Sequence, residues 1–216
     1  MRLRHIPGSE EAVSQSPFVL SNPSSLKGVW KKNISNGAPI DLEIGCGKGL
    51  FLTRFAKQSP DLFFLGMERY SSVLLRALQR LESEEIPPVN LKFLACDAAL
   101  LTDYFAPEEI DRIFLNFSDP WPKDRHAKRR LTHYDFLTKY HTVLKKGGQL
   151  QLKTDQVPLF EFSIEELHRH PGWQIDTLSR DLHADPVLSA DNLMTEYEEK
   201  FSAQGHPICL LRAHTV

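Results

Sequence analysis

The sequence predicts an α/β protein built on a doubly wound, mostly parallel sheet with a late antiparallel strand. Three observations carry this. From Ala38 onward, short apolar runs alternate with stretches of helical periodicity, the pattern of units that close into a parallel sheet. The first of these runs leads straight into a glycine-rich turn, Gly45-Cys46-Gly47-Lys48-Gly49. An acidic residue also stands near the end of each of five successive apolar runs: Glu43, Glu68, Asp97, Asp119 and Asp155. Ligands of open α/β sheets bind beyond the carboxyl ends of the strands, so such a row marks a binding edge.

In order, residues 39–44 read as the first strand, and Leu50, Phe51, Phe55 and Ala56 give the helix after the glycine turn one apolar face. Residues 62–67 form a second strand. Residues 71–84 then form an amphipathic helix whose stripe is Val73, Leu74, Ala77, Leu78 and Leu81. Residues 89–95 are the third strand, followed by a short helix around 98–104. Residues 112–116 are the fourth. The spacing of Phe136, Leu137, Tyr140, Val143 and Leu144 predicts a helix over 131–145. Lys145-Lys146 before Gly147-Gly148 has the form of its C-terminal stop, cations on the negative dipole end and then glycine. Residues 149–154 are the fifth strand, 159–170 a helix, and 174–178 and 208–213 two late strands. Residues 1–36, with Pro7, Pro17, Pro23 and several serines, read as an arm with weak structure of its own and one short helix near 26–32; residues 37–216 are the domain. Within the arm Trp30 is flanked by Lys27, Lys31 and Lys32, which suits either contact with nucleic acid or an anchor onto the domain.

At 216 residues the chain can bury a real core, and 41% hydrophobic with 25% charged residues is ordinary for a soluble protein. The formal net charge of −2 excludes a general polycation, so any nucleic-acid binding must come from local clustering. Cys46, Cys96 and Cys209 are odd in number and lack metal-ligand spacing, which predicts reduced thiols in a cytoplasmic protein and no metal site. No apolar run approaches the roughly 18 residues of a membrane span, and the start lacks a signal-peptide core.

The most informative stretch is 116–130, Asn-Phe-Ser-Asp-Pro-Trp-Pro-Lys-Asp-Arg-His-Ala-Lys-Arg-Arg. Pro120 and Pro122 bracket Trp121, so the chain leaves its strand in a stiff turn that cannot become helix. That aims Asp119. Residues 123–130 then place five basic side chains against one acid, a run suited to a phosphate backbone or to a solvated face.

The glycine turn discriminates between cofactors. A dinucleotide fingerprint needs glycine at position 50, where this chain has Leu50. Glu68, nineteen residues after Gly49, stands where an acid takes both ribose hydroxyls. An acid at Glu43 suits a cationic ligand and repels a phosphate. These features favour S-adenosylmethionine over a nicotinamide cofactor.

Residues 41–49, Asp-Leu-Glu-Ile-Gly-Cys-Gly-Lys-Gly, resemble motif I of class I methyltransferases. The 116–130 stretch resembles the signature loop of the bacterial tRNA (guanine-N7)-methyltransferase family, and residues 195–201, Thr-Glu-Tyr-Glu-Glu-Lys-Phe, resemble its C-terminal signature. The resemblance covers about residue 39 to the C-terminus and implies a Rossmann-like class I methyltransferase fold. It implies that Glu43, Gly45, Gly47, Gly49, Glu68, Asp97 and Asp119 contact S-adenosylmethionine. It likewise implies that Lys123, Asp155, Thr195, Glu196, Tyr197 and Glu198 contact the guanosine. Arg125, His126, Lys128, Arg129 and Arg130 would meet the RNA. The expected partner is tRNA, with no membrane and no metal, and either a monomer or a homodimer fits. Guanine N7 has a free lone pair and no proton, so positioning and a carboxylate facing the developing purine cation are the expected devices; Asp119 is the catalytic candidate. A small-molecule methyltransferase would have no use for residues 123–130, and a non-catalytic RNA-binding module would not need the complete acidic set.

Overall fold

The computed structural model describes residues 5–216, so the first four residues of the expected arm lie outside the described residues. The chain divides into two compact units, one ending at Ala106 and the other Pro107–Val216.

In the first unit, β1 (Ile40–Ile44), β2 (Phe63–Met67) and β3 (Leu91–Leu94) pair in parallel in the order β3-β2-β1. Every residue of β1 and β2 is buried. β2 accordingly reads as an unbroken apolar run, since a strand covered on both faces has no polar side to show, while β1 buries Asp41 and Glu43 among Ile40, Leu42 and Ile44. Helices α3 (Leu50–Gln58) and α4 (Ser71–Glu82) supply the crossovers, and α4 buries Leu74, Ala77, Leu78 and Leu81 at the three-and-four spacing of one helical face. A four-residue helix, α5 (Leu101–Tyr104), follows β3.

The arm departs from expectation. It holds α1 (Ser9–Gln15) and α2 (Trp30–Asn33), with a turn of tight helix at Pro23–Leu26 between them. The Ile6 amide donates to Ser72 Oγ (2.9 Å), which also lies 3.1 Å from Ser9 Oγ, tying α1 to α4. The segment around Val19 bridges in parallel to Phe93 and shields part of the outer edge of β3. Trp30 is fully buried, donates from Nε1 to the Tyr104 carbonyl (2.8 Å) and packs against Phe105. It therefore anchors the arm and offers no face to a base. The short apolar anchors fall at irregular spacing, which hid this order from periodicity.

In the second unit, β4 (Ile110–Asn116), β5 (Leu144–Thr154), β7 (Cys209–Thr215) and β6 (Trp173–Ser179) lie in that order. β4 and β5 are parallel; β7 runs antiparallel to both β5 and β6. Helices α6 (Tyr134–Val143) and α7 (Val157–Arg169) are followed by two short ones, α8 (Pro186–Ala190) and α9 (Glu196–Ser202). The structure corrects the expected helix stop at 145–148. α6 ends at Val143, and Lys145-Lys146-Gly147-Gly148 belongs to β5, where the β4/β5 register shifts opposite Ile110 and Arg112. Gly147 has φ 69°, and a Cβ on Gly148 would stand 2.7 Å from the Lys145 carbonyl, so the glycines permit a bulge. Lys145 pairs with Asp111 at 2.6 Å.

Pairing of Thr154 with Cys209 puts the start of β7 at the carboxyl end of β5. The segment before β7, including α9, therefore belongs to the edge where Asp155 stands. No helix among the described residues is long and apolar enough to cross a membrane.

Candidate functional site

The first unit gathers three acids at the carboxyl ends of its three parallel strands. The amides of Gly45 and Cys46 both donate to the Met67 carbonyl (2.8 and 3.1 Å), which pins the glycine turn beside the end of β2. Gly45, Gly47 and Gly49 all have positive φ (76°, 58° and 69°), a conformation strained for other residues. Nothing lies within 4 Å of where a Cβ would stand on Gly45 or Gly47, so the backbone of this turn is open to a ligand.

Glu68 is buried, and its two oxygens are held by separate amides: Gly47 N to Oε2 (3.3 Å) and Tyr70 N to Oε1 (2.9 Å). Each oxygen keeps a second lone pair, enough to accept two vicinal hydroxyls. Burial pushes the Glu68 carboxyl above its usual range, against the pull of those amides and of Arg69. Glu43 is buried at the end of β1. Burial and then the charges of Glu43 and Glu68 push the Cys46 thiol well up, leaving it inert as a nucleophile. Asp97 caps the next turn by accepting from Ala99 N (2.8 Å), and the Arg69 guanidinium lies 3.7 Å from its other oxygen. Burial, followed by the Asp97 charge, raises the Cys96 thiol to about 12. An open backbone turn beside fixed carboxylates fits a small ligand bearing ribose hydroxyls and positive charge.

The raised Glu68 carboxyl makes a pH prediction. A group whose folded pKa exceeds its unfolded value contributes stability below the unfolded pKa and loses it as pH rises through the folded one. Glu68→Gln should therefore leave the ligand-free protein as stable or slightly more stable at neutral pH, by thermal unfolding. Its affinity for a ribose-bearing cofactor should fall by roughly 10- to 100-fold, the worth of a charge-assisted contact. The wild type should lose the same affinity on acidification above the ordinary carboxylate range, and the variant should not.

In the second unit, the register pairs Asn116 with Lys153, so the loop after β4 and the residue after β5 emerge side by side. Phe117 (φ 53°) and Trp121 (φ 42°) both adopt left-handed backbone, and Asp119 between them is exposed. Asp155 Oδ2 accepts from Tyr197 Oη (3.2 Å) and Gln156 Nε2 (2.9 Å). The Tyr197 ring stacks on Phe201 at 4.0 Å and lies 4.7 Å from Phe117. Thr195 caps α9 in a reciprocal box with Glu198, and Glu196 is exposed on the same first turn.

Glu198 stands apart from the other residues expected to touch guanosine. It is fully buried, accepting from Lys153 Nζ (2.5 Å) and Asn192 Nδ2 (2.6 Å). Its carboxylate is spent on holding α9. The basic run also divides. Lys123, Arg125 and Lys128 are exposed. Arg129 lies over the Trp121 ring at 4.9 Å, with His126 edge-on to the same ring. Arg130 is buried and bonded to loop carbonyls, which removes it from the side chains open to a phosphate. Sequence reasoning missed Lys153 and Asn192; a lysine directly after Leu150-Gln151-Leu152, in the strand and two residues before Asp155, was the available signal.

A family model described as a putative methyltransferase matches residues 37–211. A curated tRNA (guanine-N(7)-)-methyltransferase of Lachnoclostridium phytofermentans is 50% identical over 208 residues, covering 96% of this chain and 95% of that protein. Proteins of the same name match from Brevibacillus brevis (49% over 216 residues, 100% and 99%) and Bacillus subtilis (45% over 209, 96% of each). Among solved structures, the antibiotic-resistance methyltransferase Kmr superposes with TM-score 0.57 at 17% identity, over 83% of this chain and 87% of that one. A mutant 16S rRNA (adenine(1408)-N(1))-methyltransferase from Catenulisporales acidiphilia, solved with the cosubstrate SAM, gives 0.55 at 16% identity, over 100% and 94%. These structural likenesses establish a Rossmann-like class I methyltransferase fold.

Proposed function

Because the chain belongs to the bacterial tRNA (guanine-N7)-methyltransferase family, we propose that it uses S-adenosylmethionine to methylate N7 of a guanosine in tRNA, in the variable loop. The observation that carries the cofactor reading is the open Gly45–Gly47 turn pinned against a carboxylate whose two oxygens are fixed by separate amides. Glu68 would take the ribose hydroxyls, Glu43 the cationic end and Asp97 the base, with Gly45 and Gly47 admitting the ligand to the backbone; Gly49, where a Cβ would stand 3.0 Å from the Phe93 ring and 3.1 Å from Ala77, lets the turn pack closely instead. Bound there, S-adenosylmethionine supplies a methyl group activated by a sulfonium.

Everything else falls to the chain's own groups. Asp155, its carboxylate oriented by Tyr197 and Gln156, suits the N1–H and N2–H donors of guanine and would reject adenine, which lacks them. The ends of Thr195 and Glu196 and the Tyr197 ring would border the base, and Lys123 its phosphate. Asp119 would face the purine as positive charge develops on it. No group need remove a proton, since N7 carries none. Extruding the nucleotide costs a few kcal/mol, which phosphate contacts from the exposed cations would offset.

Incubating an unmodified tRNA transcript with S-adenosylmethionine and the protein, then analysing nucleosides by mass spectrometry, should yield 7-methylguanosine that maps to the variable loop. Methyl groups on another atom, or transfer only to small molecules, would refute the reading. Neutralising Arg125 and Lys128 together should flatten the log–log salt dependence of tRNA affinity by about 1.4–1.8 units, at roughly 0.7–0.9 for each phosphate that no longer meets a cation. A filter-binding series in potassium chloride reads this slope, and an unchanged value would make the run a solvated face.

A further inference from the structure

We propose that Arg130, although it ends the basic run, is a positioning residue that holds the Asp119 loop in place and makes no phosphate contact. The proposal rests on the reading of Asp119 as the carboxylate beside the purine, and it assigns Arg130 a role that the run's charge conceals.

The geometry is that of a clamp. Arg130 Nε donates to the carbonyls of Pro120 (3.2 Å) and Trp121 (3.3 Å), and Nη2 donates again to Trp121 (3.0 Å). The guanidinium carbon sits 4.3 Å from the centroid of the Phe162 ring on α7, so the cation is stacked as well as hydrogen-bonded. Arg130 is only 9% exposed, whereas Arg125, Lys128 and Arg129 of the same run are exposed. The two carbonyls it holds are the first and second after Asp119.

The loop needs such a device. Pro120 and Pro122 remove two backbone donors from a short stretch, so the carbonyls cannot be satisfied from within it. Phe117 and Trp121 occupy left-handed backbone without being glycine, and strained residues persist only where their surroundings over-determine them. A planar fork of donors that also stacks on an aromatic face is a property of arginine alone; lysine offers a point charge without the plane. Fixing the two peptides that follow Asp119 fixes the direction in which its carboxylate points.

The test compares Arg130→Lys and Arg130→Met with the Arg125→Gln/Lys128→Gln protein. Arg130→Lys keeps the charge and should reduce the single-turnover methylation rate about 10- to 100-fold at saturating tRNA and S-adenosylmethionine, the cost of a misplaced reacting group. Its tRNA affinity and salt slope should match the wild type, the reverse of the Arg125/Lys128 pattern. A cooperative urea transition near the wild-type midpoint reports that each variant is folded. Trp30 and Trp173 are buried, so acrylamide quenching reports mainly on Trp121 and should increase in both Arg130 variants. A wild-type rate in Arg130→Lys overturns the clamp. So does a loss confined to tRNA affinity and salt slope, because that marks a phosphate contact. If the wild-type protein makes no 7-methylguanosine, the functional reading fails by itself. Quenching then decides the clamp, and unchanged quenching in both variants overturns it.

Discussion

Lys153→Met should lower the unfolding free energy by about 3–5 kcal/mol, the cost of stranding a buried charge by removing its partner. That is a large share of the roughly 5–15 kcal/mol by which a domain is stable. Lys153 is fully buried near the end of β5, and its ammonium directs three hydrogen bonds: to Glu198 Oε2 (2.5 Å), the Leu193 carbonyl (2.9 Å) and Asn192 Oδ1 (3.1 Å). The number matches the three donors of the group. Glu198 is equally buried and also caps the first turn of α9, so the variant leaves its carboxylate without the lysine charge, facing the His183 ring at 3.2 Å from Oε1 and the Asn192 amide. Urea denaturation measures the loss. Adding Glu198→Gln should recover part of it, because the amide removes the charge and keeps a similar shape. A cost below about 1 kcal/mol would mean that water reaches the pair and relieves it. A functional effect should accompany the structural one. α9 hangs from this pair and carries Tyr197, whose hydroxyl bonds Asp155. The KM for tRNA should therefore rise in Lys153→Met even at temperatures where the variant is folded.

β2 was legible because burial on both faces leaves a continuous apolar run, and β1 because Ile40, Leu42 and Ile44 lead straight into the glycine turn; both begin within a residue of where the sequence placed them. Glu68 could be read because it follows a run that must end at the sheet edge, and Glu43 because the glycine turn begins two residues after it. Helices α8 and α9, of five and seven residues, were not legible, since so few residues cannot display a 3.6-residue period. The glycines at 147–148 misled because a bulge and a helix stop ask for the same residue, and only the pairing register separates the two. Within the candidate site, residue types could be read from the chain but the direction in which each side chain faces could not. Arg125 and Arg130 look alike in a basic run, and a buried clamp differs from an exposed cation only through carbonyls left without donors by two prolines. Glu198 looked like a ligand group for the same reason, because its buried partner Lys153 lies forty-five residues away in sequence.

Asp119→Asn should leave the protein folded and able to bind cofactor and tRNA, yet reduce single-turnover methylation on the order of 100-fold or more. Asparagine keeps the size and the hydrogen-bonding reach of the side chain while deleting its charge. Asp119 is exposed on a loop between two left-handed residues, Phe117 and Trp121, with Pro120 directly after it. An exposed carboxylate on a backbone this constrained has little freedom to reorganise, which is the condition under which a charge stabilises a transition state at no cost at the moment of reaction. The charge it would stabilise is the one that appears on the purine as N7 is alkylated. Because N7 loses no proton, the rate should not require a general base, and the single-turnover rate of wild type and variant should show no basic limb through neutrality. A rapid-quench comparison at saturating tRNA and S-adenosylmethionine isolates this step from binding and product release. If the loss appears instead as weaker cofactor affinity with the rate intact at saturation, Asp119 acts on the cofactor's ground state. A variant that methylates at the wild-type rate would reduce Asp119 to a residue that shapes the loop.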